Sequence, residues 1–385
     1  MKILIVCFGQ LASGNVSYFY RRIICELART NEVDVLCSTP SSDEFIGIRN
    51  FYHYHYSKKM FGWSRRCLRW FRAMPVANKW GRKAINLVAN DYDIVLSMTS
   101  AIHLDTVVCG RHIAESLGCK FAIYTVDAIP GPGGWVRKQY EFKAKKSVVA
   151  REFAAADYLA ASNSHMLAYQ LGLFKNKEGL ESDVVYTPAP ECYYHTPVSN
   201  DTTFLYTGEL YGLRNPNHIF KAFKKLLKVY PDAKFVIVGR RKKLGNISSI
   251  LSSEEQKHVI VGGHTQDLAP IFSNATVLVD MDADRETDPF LSSKIVTYLK
   301  VNRVILSETG RITPSRELFA GLQTVVQCDH NEDSLYEGML KAIEIATSNP
   351  DFSERDTLIK QFSAESVTAI IEQGLIRTCT KRVKR

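Results

Sequence analysis

Apolar strand-like segments alternate with helical patterns along this chain, and the alternation runs twice. The first series starts at residues 3–8 and ends at 184–186, and the second starts at 204–206. Strands that are apolar throughout and separated by helices are typical of βαβ units in a parallel sheet. Residues 187–203, between the two series, are rich in proline and turn formers and lack periodicity. The sequence therefore predicts an α/β protein of two domains whose parallel sheets face each other across a cleft.

The length of the chain agrees with two domains. It has 385 residues, and about 150 residues per domain is usual. We expect an N-terminal domain over residues 1–190 and a C-terminal domain over 201–365. Residues 366–385 are predicted to form a helix and a basic tail that cross back to the N-terminal domain.

Composition narrows the class of protein. The hydrophobic fraction is 45% and the charged fraction 23%, as in soluble globular proteins, and no apolar run approaches the roughly 18 residues of a membrane span. The apolar start is too brief for a secretion signal and is expected to be a buried strand. Nine cysteines occur without a CxxC pair, which favours reduced thiols and a cytoplasmic location.

The first strand is followed by a glycine turn that contains Gly9 and Gly14. Backbone amides at the helix start after such a turn favour an anion. The glycine spacing is not that of a dinucleotide-binding turn, and no acidic residue ends the second strand, so NAD binding is not expected. A packing role for both glycines is the alternative.

Two turns of the second domain predict phosphate contacts. Gly208 is followed by Arg214 shortly before a helix, an arrangement suited to holding a diphosphate. Gly239 is followed by Arg240 and three further cations. The alternative for Arg214 is a solvated surface residue.

An acidic run, residues 280–288, precedes the sequence Ser292-Ser293-Lys294 at the start of a helix. Clustered carboxylates could bind a divalent metal. We prefer an acidic loop that bonds sugar hydroxyls, with Lys294 and the helix start facing phosphate. An exposed loop with Ser292 as the helix cap is the remaining possibility.

Residues 58–83 contain nine cations and no acidic residue, interleaved with aromatic side chains. Such a segment is typical of an interfacial helix on an anionic membrane. Nucleic-acid binding uses the same residue types, but no recognition fold supports it; an ordinary surface arm is the other alternative. The predicted membrane contacts are Lys58, Lys59, Arg65, Arg66, Arg69, Trp70 and Arg72.

The order of these motifs resembles that of the two-domain, Rossmann-like GT-B glycosyltransferases of the retaining family 4 type. Residues 289–306 resemble that family's P-S-K-x-x-E-Y-L-x-x-G-x-P-V-I segment, residues 206–214 resemble G-R-L-x-x-x-K-G, and residues 155–162 resemble A-D-x-V-I-A-x-S. The resemblance implies phosphate contacts near Arg214 and Lys294. It also implies a nucleotide between the turn at 238–241 and the helix from Ser293.

The chain departs from this family at several positions. Thr297 stands where the family has the glutamate that binds the ribose, and the family's other glutamate falls near Asp288. Asp127 aligns near the frequent active-site histidine of the first domain and is a candidate ligand of the sugar or the acceptor. The predicted catalytic residues are Asp127, Arg214 and Lys294. The predicted donor-binding residues are Gly9, Gly14, Gly208, Gly239, Arg240, Asp288, Phe290, Leu291, Ser292, Ser293 and Thr297.

The resemblance implies transfer of a sugar from a nucleotide-sugar donor to an acceptor hydroxyl with retention, without a metal or other cofactor. The basic segment suggests a lipid-linked glycan acceptor in bacterial surface polysaccharide synthesis, at the inner face of the cell membrane; no nucleic-acid partner is expected. Two alternatives stay open, a sugar-nucleotide 2-epimerase of the same fold and a catalytically silent protein that binds a sugar nucleotide or another transferase.

Overall fold

A computed structural model describes residues 1–7, 15–37, 47–53, 81–195, 201–239, 247–263, 265 and 267–381. The chain divides into two compact units. Unit 1 comprises Met1–Pro188 together with Phe362–Arg385, and unit 2 comprises Ala189–Gln361.

Within the described residues, each unit contains one sheet in which every neighbouring pair of strands is parallel. Unit 1 has the order β3-β2-β1-β4-β5-β6-β7 and unit 2 the order β10-β9-β8-β11-β12-β13. The strands are β1 (Lys2–Cys7), β2 (Glu32–Cys37), β3 (Ile48–His53), β4 (Ile94–Thr99), β5 (Lys120–Thr125), β6 (Tyr158–Ala161), β7 (Glu181–Val184), β8 (Thr203–Thr207), β9 (Lys234–Val238), β10 (Val259–Gly262), β11 (Val277–Met281), β12 (Val304–Glu308) and β13 (Val325–Cys328).

Helices follow most of the strands. They are α1 (Asn15–Leu27), α2 (Asp105–Leu117), α3 (Gln139–Glu152), α4 (Ser164–Leu171), α5 (Asn217–Leu226), α6 (Ile247–Ile250), α7 (Ser253–Gln256), α8 (Ala269–Ser273), α9 (Ser293–Tyr298), α10 (Pro314–Leu318), α11 (Glu332–Thr347), α12 (Asp356–Gln361) and α13 (Ala364–Thr380), with 3-10 turns at Phe153–Ala155 and Ser353–Arg355. None of the helices in the described ranges is long and apolar enough to cross a membrane.

The sheet of unit 1 is buried on both faces. Because side chains alternate along a strand, Leu4 and Val6 of β1 pack into the core on one face and Ile3 and Ile5 into the core on the other. This two-sided burial explains why the first strand is apolar throughout. The last helix, α13, belongs to unit 1 and buries residues such as Ile371 on the same face as Ile3 and Ile5.

The core of unit 2 is built around aromatic rings. Phe223 of α5 and Phe220, one turn earlier, stand edge-on to Phe235 of β9, with ring centres 5.5 Å and 5.6 Å apart. Edge-to-face pairs at such distances stabilise a core beyond the burial of their area. Helices α5 and α11 cover this face of the sheet.

Arg355, which is fully buried, lies at the amino-terminal edge of the unit 2 sheet, next to the residues that precede β12 and β13. Its guanidinium donates to the carbonyl oxygens of Val301 (3.1 Å), Arg303 (2.9 Å) and Thr324 (2.7 Å), and to Thr324 Oγ1 (2.8 Å). The planar fork thus joins two backbone segments, the one that precedes β12 and the one that precedes β13.

The predicted α/β class and the two Rossmann-like parallel sheets are confirmed. Two strands were missed: β3 is largely exposed and reads as polar, and β13 has only four residues. The strand predicted at 184–186 is wrong in position, because β7 covers Glu181–Val184 and its polar residues hide it from a search for apolar runs.

We expect Arg355→Met to lower the free energy of unfolding by about 2–4 kcal/mol, because it leaves several buried acceptors without donors. Arg355→Lys should also be destabilising, since an ammonium cannot reproduce the planar fork. Urea unfolding followed by circular dichroism measures both. Arg311→Met, a change at a side chain that is 73% exposed, is the control; an equal loss for Arg311→Met would contradict the assignment.

Candidate functional site

Two glycine turns lie against each other at the carboxyl edge of the unit 2 sheet. Gly208 follows β8 with a positive φ of 123°, and its amide donates to the carbonyl oxygen of Val238 at the end of β9 (2.8 Å). A Cβ atom at position 239 would overlap the carbonyl group of Gly208. Both positions therefore require glycine, one for its backbone conformation and one for the close approach of the two backbones.

Lys294 lies directly over this pair of turns. Its Cδ is 3.0 Å from the point where a Cβ of residue 208 would stand. Its Nζ is 3.5 Å from Asp280 Oδ1 and 5.2 Å from the centre of the Tyr206 ring. Burial, reinforced by the positive charge of Arg214, lowers the pKa of Lys294 to about 8, although Asp280 and Asp282 act in the opposite direction.

Arg214, in the loop after β8, is held at the end of β11. Its Nε donates to the carbonyl oxygen of Met281 (3.0 Å), and its guanidinium lies 4.6 Å from the centre of the Tyr211 ring. The positive charge of Arg214 lowers the pKa of Lys294, so the two side chains lie near each other. The structure brings four of the predicted residues, Gly208, Arg214, Gly239 and Lys294, to one edge of one sheet.

The end of α9 is fixed to β8 by Tyr298, which was not among the predicted site residues. The amide of Thr207 donates to the Tyr298 hydroxyl (2.8 Å), and the two hydroxyls are 2.9 Å apart. Tyr298 is fully buried. Because it joins α9 to the strand that precedes Gly208, it sets the position of Lys294 above that turn.

The alternative interpretation of residues 280–288, an exposed acidic loop, does not hold for three of its carboxylates. Asp280, Asp282 and Asp288 are buried, and Asp280 lies inside β11 rather than after it. Asp282 Oδ2 accepts hydrogen bonds from Thr309 Oγ1 (2.9 Å) and Ser315 Oγ (3.0 Å). Burial, together with the charge of Asp280, raises the pKa of Asp282 to about 7.

Ser292 does not cap α9 with its side chain. Its hydroxyl donates instead to Asp280 Oδ1 (2.8 Å), so the alternative in which Ser292 is the side-chain cap does not hold. Helix α9 has six residues, too few for its dipole to favour an anion strongly. Phe290, Leu291, Ser293 and Thr297 are half-buried along the same segment.

Asp127 belongs to unit 1, directly after β5, and is half-buried. Its Oδ2 accepts from the amide of Ala101 (2.8 Å), and burial raises its pKa. The buried Gln170 holds the same loop by bonding both the amide (3.0 Å) and the carbonyl (2.8 Å) of Ile129. The loops after β4 and β5 are thereby tied together at the carboxyl edge of this sheet.

Several predicted residues lie outside the described ranges. They are Gly9, Gly14 and Arg240, and the predicted membrane contacts Lys58, Lys59, Arg65, Arg66, Arg69, Trp70 and Arg72.

The chain is similar to known proteins in part of its sequence and in its fold. Residues 195–281 match the family model described as glycosyl transferases group 1. No curated protein sequence matches the chain significantly. Among solved structures, the chain is similar to the apo form of the lipopolysaccharide outer core galactosyltransferase WaaB (TM-score 0.64, 13% identity, 98% of this chain and 99% of that one).

Two further structures extend the likeness. One is a variant of S. aureus TarM in complex with fondaparinux, alpha-GlcNAc-glycerol and UDP (TM-score 0.68, 9% identity, 99% of this chain and 100% of that one). The other is the UDP-GlcNAc 2-epimerase from Neisseria meningitidis bound to UDP-GlcNAc (TM-score 0.56, 13% identity, 98% of this chain and 100% of that one). The chain has the GT-B fold.

In this GT-B chain the family match covers Gly208, Arg214 and Gly239 but stops at residue 281, before Lys294. A further buried pair lies C-terminal to the matched residues. Glu308, at the end of β12, has its Oε1 3.2 Å from His330 Nδ1. Burial raises the pKa of Glu308. The sequence did not reveal this pair because β13, which places His330, was not recognised.

For this GT-B chain we expect Tyr298→Phe to lower the free energy of unfolding by about 1–2 kcal/mol, because the partly buried Thr207 amide loses its acceptor. Differential scanning calorimetry tests this. Tyr230→Phe is the matched control, since the Tyr230 hydroxyl bonds no other residue in the described part of the chain. Equal stability of Tyr298→Phe and the native protein would contradict the positioning role of Tyr298.

Proposed function

We propose that the chain is a glycosyltransferase that moves a sugar from a nucleotide-sugar donor to an acceptor hydroxyl. The observation that carries the proposal is the placement of Arg214 and Lys294 beside the paired turns of Gly208 and Gly239. The match of residues 195–281 to group 1 glycosyl transferases and the GT-B fold support it.

The chemistry of this edge suits a departing diphosphate. Cleavage of the bond between the sugar and the nucleotide leaves negative charge on the diphosphate, and preorganised cations stabilise that charge best where water is excluded. Arg214 offers a planar fork and Lys294 a compact ammonium. We propose that these two side chains meet the charge without a metal ion.

Asp127 is our proposed ligand of the sugar or the acceptor hydroxyl in unit 1. The raised pKa of this carboxyl makes it a stronger proton acceptor than an ordinary aspartate. The amide of Ala101 holds one of its oxygens in place, which orients the group.

We further propose a retaining enzyme of bacterial surface polysaccharide synthesis. The acceptor would be a lipid-linked glycan, and the enzyme would work peripherally at the inner face of the cell membrane. The basic, aromatic-rich residues 58–83 support this, as does the likeness to a lipopolysaccharide galactosyltransferase. The likeness to structures that contain UDP or UDP-GlcNAc makes a UDP-sugar the first donor to test.

A thermal-shift screen against UDP-, GDP-, ADP- and CMP-sugars tests the donor site. A nucleotide at 100 times its Kd should stabilise the native protein by about 2.7 kcal/mol. Arg214→Ala and Lys294→Ala should each weaken binding roughly ten- to a hundredfold, because each removes a charge-assisted contact worth about 1.5–3 kcal/mol. Lys221→Ala, at an exposed position of α5, is the control.

Turnover assays with labelled UDP-sugars separate the alternatives. A 2-epimerase would convert a labelled UDP-sugar into an isomer without any acceptor, and the epimerase structure among the similar proteins makes that assay necessary. Binding without transfer, hydrolysis or isomer formation would favour a catalytically silent protein. No binding to any sugar nucleotide would refute the proposed donor site.

Replacing Arg65, Arg66, Arg69 and Arg72 together by alanine should reduce sedimentation with vesicles that contain anionic lipid. The expected loss is about 1 kcal/mol for each cation that lies near the surface. A variant with alanine at four exposed lysines of unit 1 outside the basic segment, Lys138, Lys143, Lys146 and Lys175, controls for net charge. Unchanged sedimentation of the arginine variant would overturn the membrane proposal.

A further inference from the structure

Asp280 is a fully buried carboxylate on β11 whose oxygens are used unequally. Oδ1 accepts from Ser292 Oγ (2.8 Å) and lies 3.5 Å from Lys294 Nζ. Oδ2 has no hydrogen-bond partner within the described ranges. A buried carboxylate is stable as an anion only where a cation and hydrogen-bond donors compensate it. Lys294 is that cation.

Groups from three elements act on Lys294. Tyr206 of β8 contacts it with the ring face, Arg214 lies in the following loop, and Asp280 and Asp282 lie at the end of β11. Burial and Arg214 favour the neutral amine, whereas the two carboxylates favour the ammonium. The charge of Lys294 thus depends on which of these opposing effects dominates.

Asp280 is better placed than Asp282 to maintain that charge. Asp282 Oδ2 is already shared by the hydroxyls of Thr309 and Ser315, whereas Asp280 makes the direct ion pair. Through Ser292, Asp280 also anchors the chain two residues before Lys294. Asp280 therefore contacts both Ser292, at the start of α9, and the Nζ atom of Lys294.

The ion pair leaves the ammonium available to a ligand. At 3.5 Å the Lys294–Asp280 distance exceeds that of a good hydrogen bond. An ammonium has three donors, so one can face Asp280 while the others face a phosphate oxygen.

We propose that Asp280 is a positioning residue that keeps Lys294 in its ammonium form and aims it at the diphosphate of the donor. The inference rests on the proposed function, because the diphosphate is the ligand that Lys294 would meet. Asp280 itself touches neither the donor nor the acceptor, and no proton or other bond is transferred through it.

The test follows the binding of UDP, with GDP and ADP in parallel, by isothermal titration calorimetry between pH 6.5 and 9.5. Lys294 is charged below its pKa, so binding to the native protein should weaken as the pH rises through about 8. In Asp280→Asn this loss should begin at a pH lower by about one unit or more. At pH 6.5 Lys294 should be charged in both proteins. The difference in affinity between Asp280→Asn and the native protein should therefore be smaller at pH 6.5 than at pH 8.

Two further variants separate charge control from a purely structural role. Lys294→Arg, alone and combined with Asp280→Asn, should remove the alkaline loss, because a guanidinium stays charged throughout this range. Ser292→Ala retains both charges and should leave the midpoint near that of the native protein. If Asp280→Asn instead weakens binding equally at every pH, the proposal is wrong.

A direct titration of Lys294 keeps this test apart from that of the proposed function. NMR of the ¹³C-dimethylated lysines of the ligand-free protein should show Lys294 titrating near pH 8 in the native chain and at lower pH in Asp280→Asn. An ordinary midpoint in the native chain, or no change in the variant, would overturn the inference even if nucleotides bind. If no nucleotide binds, the proposed function fails and this titration still decides the inference. Asp280→Ser serves the same purpose should Asp280→Asn not fold.

Discussion

The carboxyl edge of the unit 2 sheet depends on the ion pair between Lys294 and Asp280. Both side chains are largely removed from water, with exposed fractions of 15% and 0%, and neither charge would be stable there alone. The pair also explains why β11, apolar from Val277 to Val279, contains the buried Asp280 next to its last residue. Without it, the cation above the glycine turns would have to be neutral or solvated.

Backbone geometry makes room for this pair. The approach of Gly239 to Gly208 draws the ends of β8 and β9 together, and Tyr298 ties α9 to the residue before Gly208. Lys294 therefore lies beside the Gly208 turn, with its ammonium over the Tyr206 ring and paired with Asp280. Rigid elements hold all of these groups, which is the arrangement that precise recognition of a charged ligand requires.

The sequence predicted most strands and helices well, but not where each strand ends. Continuous apolar runs such as β1 and β12 identify strands buried on both faces, and the alternation with helices identifies parallel sheets. Whether Asp280 lies within a strand or after it depends on pairing with β12, where Asp280 is opposite Ser307, and no local pattern encodes that pairing. The glycines and cations of the site, by contrast, were found from their residue type and their spacing. The burial of Asp280 and Asp282 and the roles of Tyr298 and His330 required the tertiary structure.

Burial shifts the pKa values of two candidate catalytic residues, Asp127 and Lys294, in opposite directions. In unit 1 it raises the pKa of the Asp127 carboxyl, and in unit 2 it lowers the pKa of the Lys294 ammonium. An acid and a base that each lose solvation move toward neutrality from opposite sides. The Asp127 carboxyl therefore accepts protons more readily than an ordinary aspartate, and Lys294 remains charged only below about pH 8. The net charge of +9 has no part in this, because the balance is set by the few groups that are buried together.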